Sequence, residues 1–178
     1  KFAPSLKVSV FHGQNRNLSA SYENSDVVLV PYSLIIQEVD KLKHKNRKWH
    51  LLVIDEAQKI KNPESECSVC LKKIKANSYL ALSGTPVENN LSELWSIFDF
   101  INKGYLGSLT DFSKNYSIPI ERFKELTRAQ KLKKAISPFM LRRLKTDKTI
   151  ISDLPEKVVL DDFCYLTKPQ VAQIGRAH

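Results

Sequence analysis

Four short apolar runs, separated by longer stretches with helical periodicity, constrain this chain more than anything else in it. "KVSVF" (Lys7 to Phe11) alternates with period two, whereas "VVLVPY" (Val27 to Tyr32), "HLLVID" (His50 to Asp55) and "SYLALSG" (Ser78 to Gly84) are nearly continuous in apolar residues. Continuous Val/Ile/Leu runs of this length fit strands buried on both faces of a parallel sheet. Ser33 to His44 between them carries Leu34, Ile35, Val39 and Leu42. Pro63 to Lys75 places Cys67, Cys70, Leu71 and Ile74 at i, i+3, i+4 and i+7, with Asn62 as N-cap, Pro63 in the first turn and Lys72, Lys73 and Lys75 in the last. Strand, helix, strand, helix, strand over residues 1–90 predicts an α/β fold with a parallel sheet flanked by helices.

The pattern changes after residue 90. "NLSELWSIFDFI" is a strong amphipathic helix whose apolar face is Leu91, Leu94, Trp95, Phe98 and Ile101, with Asn90 and Glu93 at capping-box spacing. "NKGYLGS" breaks it with two glycines, and helical patterns resume over Leu109 to Tyr116 and Glu121 to Ile136. Residues 91–145 therefore predict a helical protrusion. Residues 146–178 read as a linker in which "LPEKVVLDDFCYL" (Leu154 to Leu166) returns to a strand pattern; the final "IGRAH" departs from it. The chain opens without Met, in mid-phrase, and reads as an excerpt of a longer protein.

The 178 residues are 42% hydrophobic, enough for a core and against wholesale disorder. A net charge of +9 fits either a polyanionic partner such as nucleic acid or simply a basic surface. Three cysteines are too few and too odd for a disulfide framework and favour a reducing, intracellular setting, cytoplasm or nucleoid. No apolar run approaches the roughly 20 residues that span a membrane, and the N-terminal stretch has no signal-peptide core.

"VIDEAQ" carries the chemistry. Carboxylates at the carboxyl end of a parallel strand stand where open α/β sheets bind ligands. Phosphate-ester hydrolysis needs one acid to hold Mg²⁺ and another to orient or deprotonate water, and adjacent Asp55 and Glu56 suit that division. In "LALSGTPVENN" a second apolar run ends in Ser83, Gly84 and Thr85, with hydroxyls on the same sheet edge and a glycine that lets the backbone turn. Alone, it reads as an ordinary strand–turn–helix. Cys67 and Cys70 at i, i+3 on an apolar helix face read as core rather than metal or redox ligands, there being no second pair. "KLKHKNRK" (Lys41 to Lys48) fits a solvated loop or a phosphate contact, and "RAQKLKKAI" a solvated helix face.

"DEAQ" followed 25 positions later by "SGTPVENNLSELWSIFDFI" resembles the DExx-box and Ser-Gly-Thr-Pro motifs of the SNF2 (Swi2/Snf2) family, helicase-like duplex-DNA translocases of superfamily 2. The likeness runs along nearly the whole chain. "KFAPSLKVSVFHG" resembles the segment after motif Ia, and "DVVLVPYSLI" the following motif, with Pro31 where Thr is usual. "SPFMLRRLKTD" and "DLPEK" resemble the end of the first lobe and the run toward the second, and Gln58 is similar to the bacterial-type "DEAQ.IKNP" members. The resemblance implies a partial RecA-like lobe and a parent protein that uses ATP and Mg²⁺ to step along double-stranded DNA and remodel protein–DNA complexes. It assigns Mg²⁺, through water, to Asp55 and the catalytic base to Glu56. Gln58, Ser83, Gly84 and Thr85 would bind nucleotide and relay its state, and Tyr32 and Ser33 would approach the DNA backbone. Arg142 and Arg143 could meet DNA, nucleotide or acidic residues at the lobe junction.

ATP also needs a phosphate cradle, G-x-x-x-x-G-K-[ST]. None of Gly13, Gly84, Gly104, Gly107 and Gly175 is followed by Lys. The family order places that loop upstream and the second RecA-like lobe, with its arginine fingers, downstream. The expectation is a lobe-one excerpt that does not turn over ATP alone and that exposes strand edges. The alternative is a non-catalytic helicase-like DNA- or protein-binding module; an RNA helicase of the same superfamily is disfavoured by "SGTPVENNLSELW" and "LRRLKTD".

Overall fold

The computed structural model describes residues 2–14, 16–43, 48–85, 89–143, 158 and 160–162. The four apolar runs form strands β1 (Val8–Val10), β2 (Val27–Leu29), β3 (Trp49–Ile54) and β4 (Ala76–Ala81). Both pairings are parallel, β1 with β2 and β3 with β4, the second in the register Leu51 to Ser78 through Ile54 to Ala81. The strands make two two-stranded sheets rather than one. β2 and β3 each line a groove of about 820 Å³ between the pairs, floored by Ile35, Leu71 and Ile74.

Helix α1 (Leu18–Asn24) joins β1 to β2 and is capped by Asn17, whose side-chain oxygen accepts from the Ala20 amide. Helix α2 (Tyr32–Leu42) joins β2 to β3 and buries Ile35, Val39 and Leu42. These pack with Phe11, Ile54, Ile60, Leu71, Ile74, Ile97 and Phe100 into one core. The core lies on one face of the strands only. Leu29, Leu51, Val53, Leu80 and Leu82 of the continuous runs remain between 44% and 51% exposed, so the expectation of burial on both faces fails among the described residues. Their near-continuous apolar sequence is that of a two-sided parallel strand, yet the helices of the described residues cover one side.

Helix α3 (Glu66–Leu71) is shorter than the predicted Pro63–Lys75 span. Asn62 does not cap it: its carbonyl accepts from the Ser65 amide and hydroxyl, closing a turn, and Ser65 caps the helix by accepting from Ser68. At the other end Lys73 and Ile74 donate to carbonyls three residues back, which tightens and ends the helix. Lys72 is the C-cap residue, and its ammonium goes to Asp99 at 2.8 Å and over the Trp95 ring. Cys70 is buried, Cys67 half-buried, and both are free thiols.

Helix α4 (Leu91–Ile101) is buried on two sides and links two cores. Ile97 and Phe100 join the first core; Leu94 and Phe98 join Phe112 and Leu132 in a second, against which Leu91, Trp95 and Ile101 pack. The buried Ser96 hydroxyl donates to the Ile60 carbonyl at 2.6 Å. The expected capping box does not form, because Glu93 accepts from the Asn89 amide and side chain, while the Leu91 amide donates to Glu121. The helical segment continues as α5 (Leu109–Phe112), a π-helical turn at Ser113–Ser117, α6 (Ile118–Glu121) and α7 (Leu126–Ile136). The predicted helix over Glu121 to Ile136 is broken before α7, where Lys124 takes φ 55°. α7 buries Leu132 and exposes Lys131, Lys133 and Lys134, a solvated basic face.

The chain divides into two units, residues 1–138 and 139–178. In the second, Phe139 completes a 3₁₀ turn from Ser137, and the other described residues, Met140, Arg142 and Arg143 among them, are exposed and irregular. The strand pattern at Leu154 to Leu166 falls almost entirely outside the described residues, as do residues 174–178.

Candidate functional site

The acids sit at the carboxyl end of β3. Ile54, the last strand residue, is buried, and its carbonyl accepts from the Leu82 amide at 2.8 Å. The Ala57 amide then donates to the Leu82 carbonyl at 2.8 Å, and Ala57 is wholly buried. The parallel ladder thus grips the chain on both sides of Asp55–Glu56 and leaves the two acids exposed. To bridge this short gap Glu56 adopts φ 51° and ψ 55°, a left-handed conformation that costs an L-residue about 1–2 kcal/mol. The Glu56 amide donates to its neighbour's Asp55 Oδ1 at 2.9 Å, and the Glu56 carbonyl starts a 3₁₀ turn over Ala57–Ile60.

The two motifs meet through side chains. Gln58 Nε2 donates to Glu56 Oε2 at 2.5 Å, Ser83 Oγ donates to Gln58 Oε1 at 2.9 Å, and the Thr85 amide donates to Ser83 Oγ at 3.2 Å. A continuous hydrogen-bonded chain therefore runs Glu56–Gln58–Ser83–Thr85 across the ends of β3 and β4. Gln58 suits the middle because an amide donates from one atom and accepts at the other. Gly84 does not lie in the left-handed region, and a Cβ there would meet nothing within 4 Å. The expected sharp turn is therefore not what requires glycine.

Tyr32 reaches the acid turn. Its hydroxyl donates to the Asp55 carbonyl at 2.7 Å. Burial first, then the nearby Cys67, Asp55 and Glu56, push its phenol up to about 12. Ser33, the next residue, is exposed on the first turn of α2. The link between Tyr32 and Asp55 was not anticipated; the available signal was an aromatic residue shortly after one parallel strand, as the acids follow another.

No cluster of three or more His, Cys, Asp or Glu residues able to hold a metal occurs among the described residues. Mg²⁺ does not need one, since it keeps several waters and takes one or two carboxylates plus substrate phosphates. Asp55 fits that demand: Oδ1 accepts the Glu56 amide, and Oδ2 takes no protein hydrogen bond among the described residues. No helix of the described residues is long and apolar enough to cross a membrane.

Parallel strands ending in an acid pair, tied to a Ser-Gly-Thr turn, define an α/β lobe of the SWI2/SNF2 ATPase-core type. The solved SWI2/SNF2 ATPase core of Sulfolobus solfataricus in complex with double-stranded DNA is 40% identical, superposes with a TM-score of 0.74 and is matched over 96% of this chain and 35% of that one. Residues 1–173 match the SNF2-related domain, and the chain belongs to that family. YwqA of Bacillus subtilis, named as an ATP-dependent helicase/translocase, is 45% identical over 175 residues, 96% of this chain and 19% of that protein. The TATA-binding protein-associated factor mot1 of Schizosaccharomyces pombe is 34% identical over 183 residues, 95% of this chain and 9% of that protein. The chain thus spans less than a fifth of the length of YwqA and mot1 and about a third of the solved core.

Proposed function

We propose that this chain is part of the first RecA-like lobe of an intracellular ATPase that translocates on double-stranded DNA and remodels protein–DNA complexes. Asp55 holds Mg²⁺ through water, and the ion supplies charge neutralisation to the nucleotide phosphates. Glu56 orients the attacking water and accepts its proton. Its carboxylate is held by Gln58, so the left-handed turn and the amide together fix where that base points. Ser83 and Thr85 share the same hydrogen-bonded chain and pass the state of the nucleotide site to the turn that follows β4. The open space around Gly84 is consistent with a requirement imposed by a ligand approaching the backbone. Tyr32 and Ser33, at the start of α2, lie toward the DNA backbone, with Ser33 the accessible one.

The observation that carries this reading is the Glu56–Gln58–Ser83–Thr85 chain, which joins the two motifs in one site. The names of the relatives, ATP-dependent helicase/translocase and SWI2/SNF2 ATPase core, support it. The phosphate cradle and the second lobe belong to other parts of the parent, so the chain by itself binds no ATP productively. The apolar groove between β2 and β3 and the uncovered strand face are consistent with that division. The test is ATP turnover by the full-length protein with duplex DNA, with single-stranded RNA and with neither. Stimulation by duplex DNA is expected; turnover driven by RNA, or none under any condition, contradicts the reading.

A further inference from the structure

We infer that Tyr32 is a positioning residue for the acid pair, whose hydroxyl holds the strained Asp55–Glu56 turn in its working shape; this rests on the ATPase reading above. All four peptide groups around Glu56 have partners, the Glu56 carbonyl accepting from the Lys59 amide. The Glu56 amide is taken by Asp55 Oδ1 and the Ala57 amide by the Leu82 carbonyl. The Asp55 carbonyl, which precedes the left-handed residue, is taken by Tyr32 at 2.7 Å. A left-handed Glu persists only where its surroundings over-determine it, and the Tyr32 hydroxyl is the part of that restraint that comes from outside the β3–β4 pair.

Tyr32 is suited to the task. Pro31 lies between β2 and α2 with φ −64°, so the residue after it enters the helix in a fixed direction. The ring is half-buried and lines the groove, which leaves its hydroxyl directed at the Asp55 carbonyl. At the start of β3 Tyr22 packs edge-on against Trp49 and accepts from the Lys48 amide, which ties α1 to β3. Tyr32 therefore links the acid turn to α2, whose first turn exposes Ser33, and a displacement of α2 reaches Glu56 through one hydrogen bond.

The test is Tyr32→Phe in the full-length protein, which removes one oxygen and keeps the ring. With duplex DNA saturating, kcat is expected to fall about tenfold while the KM for ATP stays within about twofold, because the loss falls on the alignment of the base rather than on nucleotide binding. Exchange of the Glu56 and Ala57 amides with deuterium is expected to quicken about tenfold, with the melting temperature close to wild type. An unchanged kcat and unchanged exchange overturn the proposal. So does a loss shared between kcat, KM and melting temperature, which marks a merely structural tyrosine. Glu56→Gln run alongside separates the two levels. If it is inactive while Tyr32→Phe is normal, only the positioning role falls; if it turns over ATP normally, the reading of the acid pair falls and takes this role with it.

Discussion

Glu56 offers a stability test that does not depend on catalysis. In ordinary backbone glycine is worse than alanine, by about 0.5–1 kcal/mol, because it has more freedom to lose. At φ 51° the order should invert. The left-handed conformation costs a residue with a Cβ about 1–2 kcal/mol and costs glycine essentially nothing. Subtracting the entropy term leaves Glu56→Gly more stable than Glu56→Ala by about 0.5–1 kcal/mol. Both variants lose the same carboxylate and the same bond from Gln58, so those terms cancel. The matching control is Gln37, exposed within α2, where Gln37→Ala should exceed Gln37→Gly by about 1 kcal/mol. The assay is urea unfolding of the chain followed by tryptophan fluorescence, since Trp49 packs against the first core and Trp95 against the second. With an m-value of about 2 kcal/mol/M the two pairs should split by about 0.3–0.5 M in midpoint, in opposite directions. The same order at both sites would refute the strained turn, and with it the argument that the site stores strain at its base.

Three further outcomes follow from the packing. Arg16→Ala leaves Glu38 buried beside Lys41 alone and should cost about 2 kcal/mol by thermal or urea unfolding, less than a fully enclosed pair because Arg16 is partly exposed. Bonds from Lys41 and then Arg16 hold the Glu38 carboxyl below its ordinary value of 4.5, so their contribution is full above that pH and is lost as pH falls through the lowered value. The wild type should therefore lose more stability than Glu38→Gln on acidification below about pH 4.5. Ser96→Ala strands the Ile60 carbonyl between the two cores and should cost about 1–2 kcal/mol, read as a shift in unfolding midpoint without a change in slope.

How much was legible varied with the kind of signal. The four strands could be read because contiguous Val, Ile and Leu have few other uses at that length, and all four form with ends within three residues of the expected place. The amphipathic face of α4 could be read because five apolar positions at helical spacing need a core, and the second core is where they go. The start of α3 could not. Asn62 and Ser65 are both good caps, and the choice was settled by a turn whose hydrogen bonds use the Asn62 carbonyl. The break before α7 carries no glycine, since Lys124 takes the positive φ. The division into two strand pairs was equally hidden, because sequence patterns show which segments extend but not which edges meet.

The site was legible as residues and not as geometry. Asp55, Glu56, Ser83 and Thr85 were identifiable by type and spacing and Gln58 by the family resemblance, and hydrogen bonds join them. What holds them was not identifiable. The left-handed Glu56 has no marker in a sequence without glycine at that position, and the Tyr32 bond joins residues 23 positions apart. Gly84 shows the reverse: its presence is plain in the sequence, while neither its φ nor its surroundings demand it.

The most direct measurement is ATP turnover and ATP binding by full-length Glu56→Gln, beside wild type, with duplex DNA present. The substitution keeps the size of the side chain and removes only its ability to take a proton. Turnover should fall by at least about a hundredfold while nucleotide affinity stays within a few fold. A Glu56→Gln protein that hydrolyses ATP at the wild-type rate would contradict the account of "VIDEAQ" as the acid half of an ATPase site.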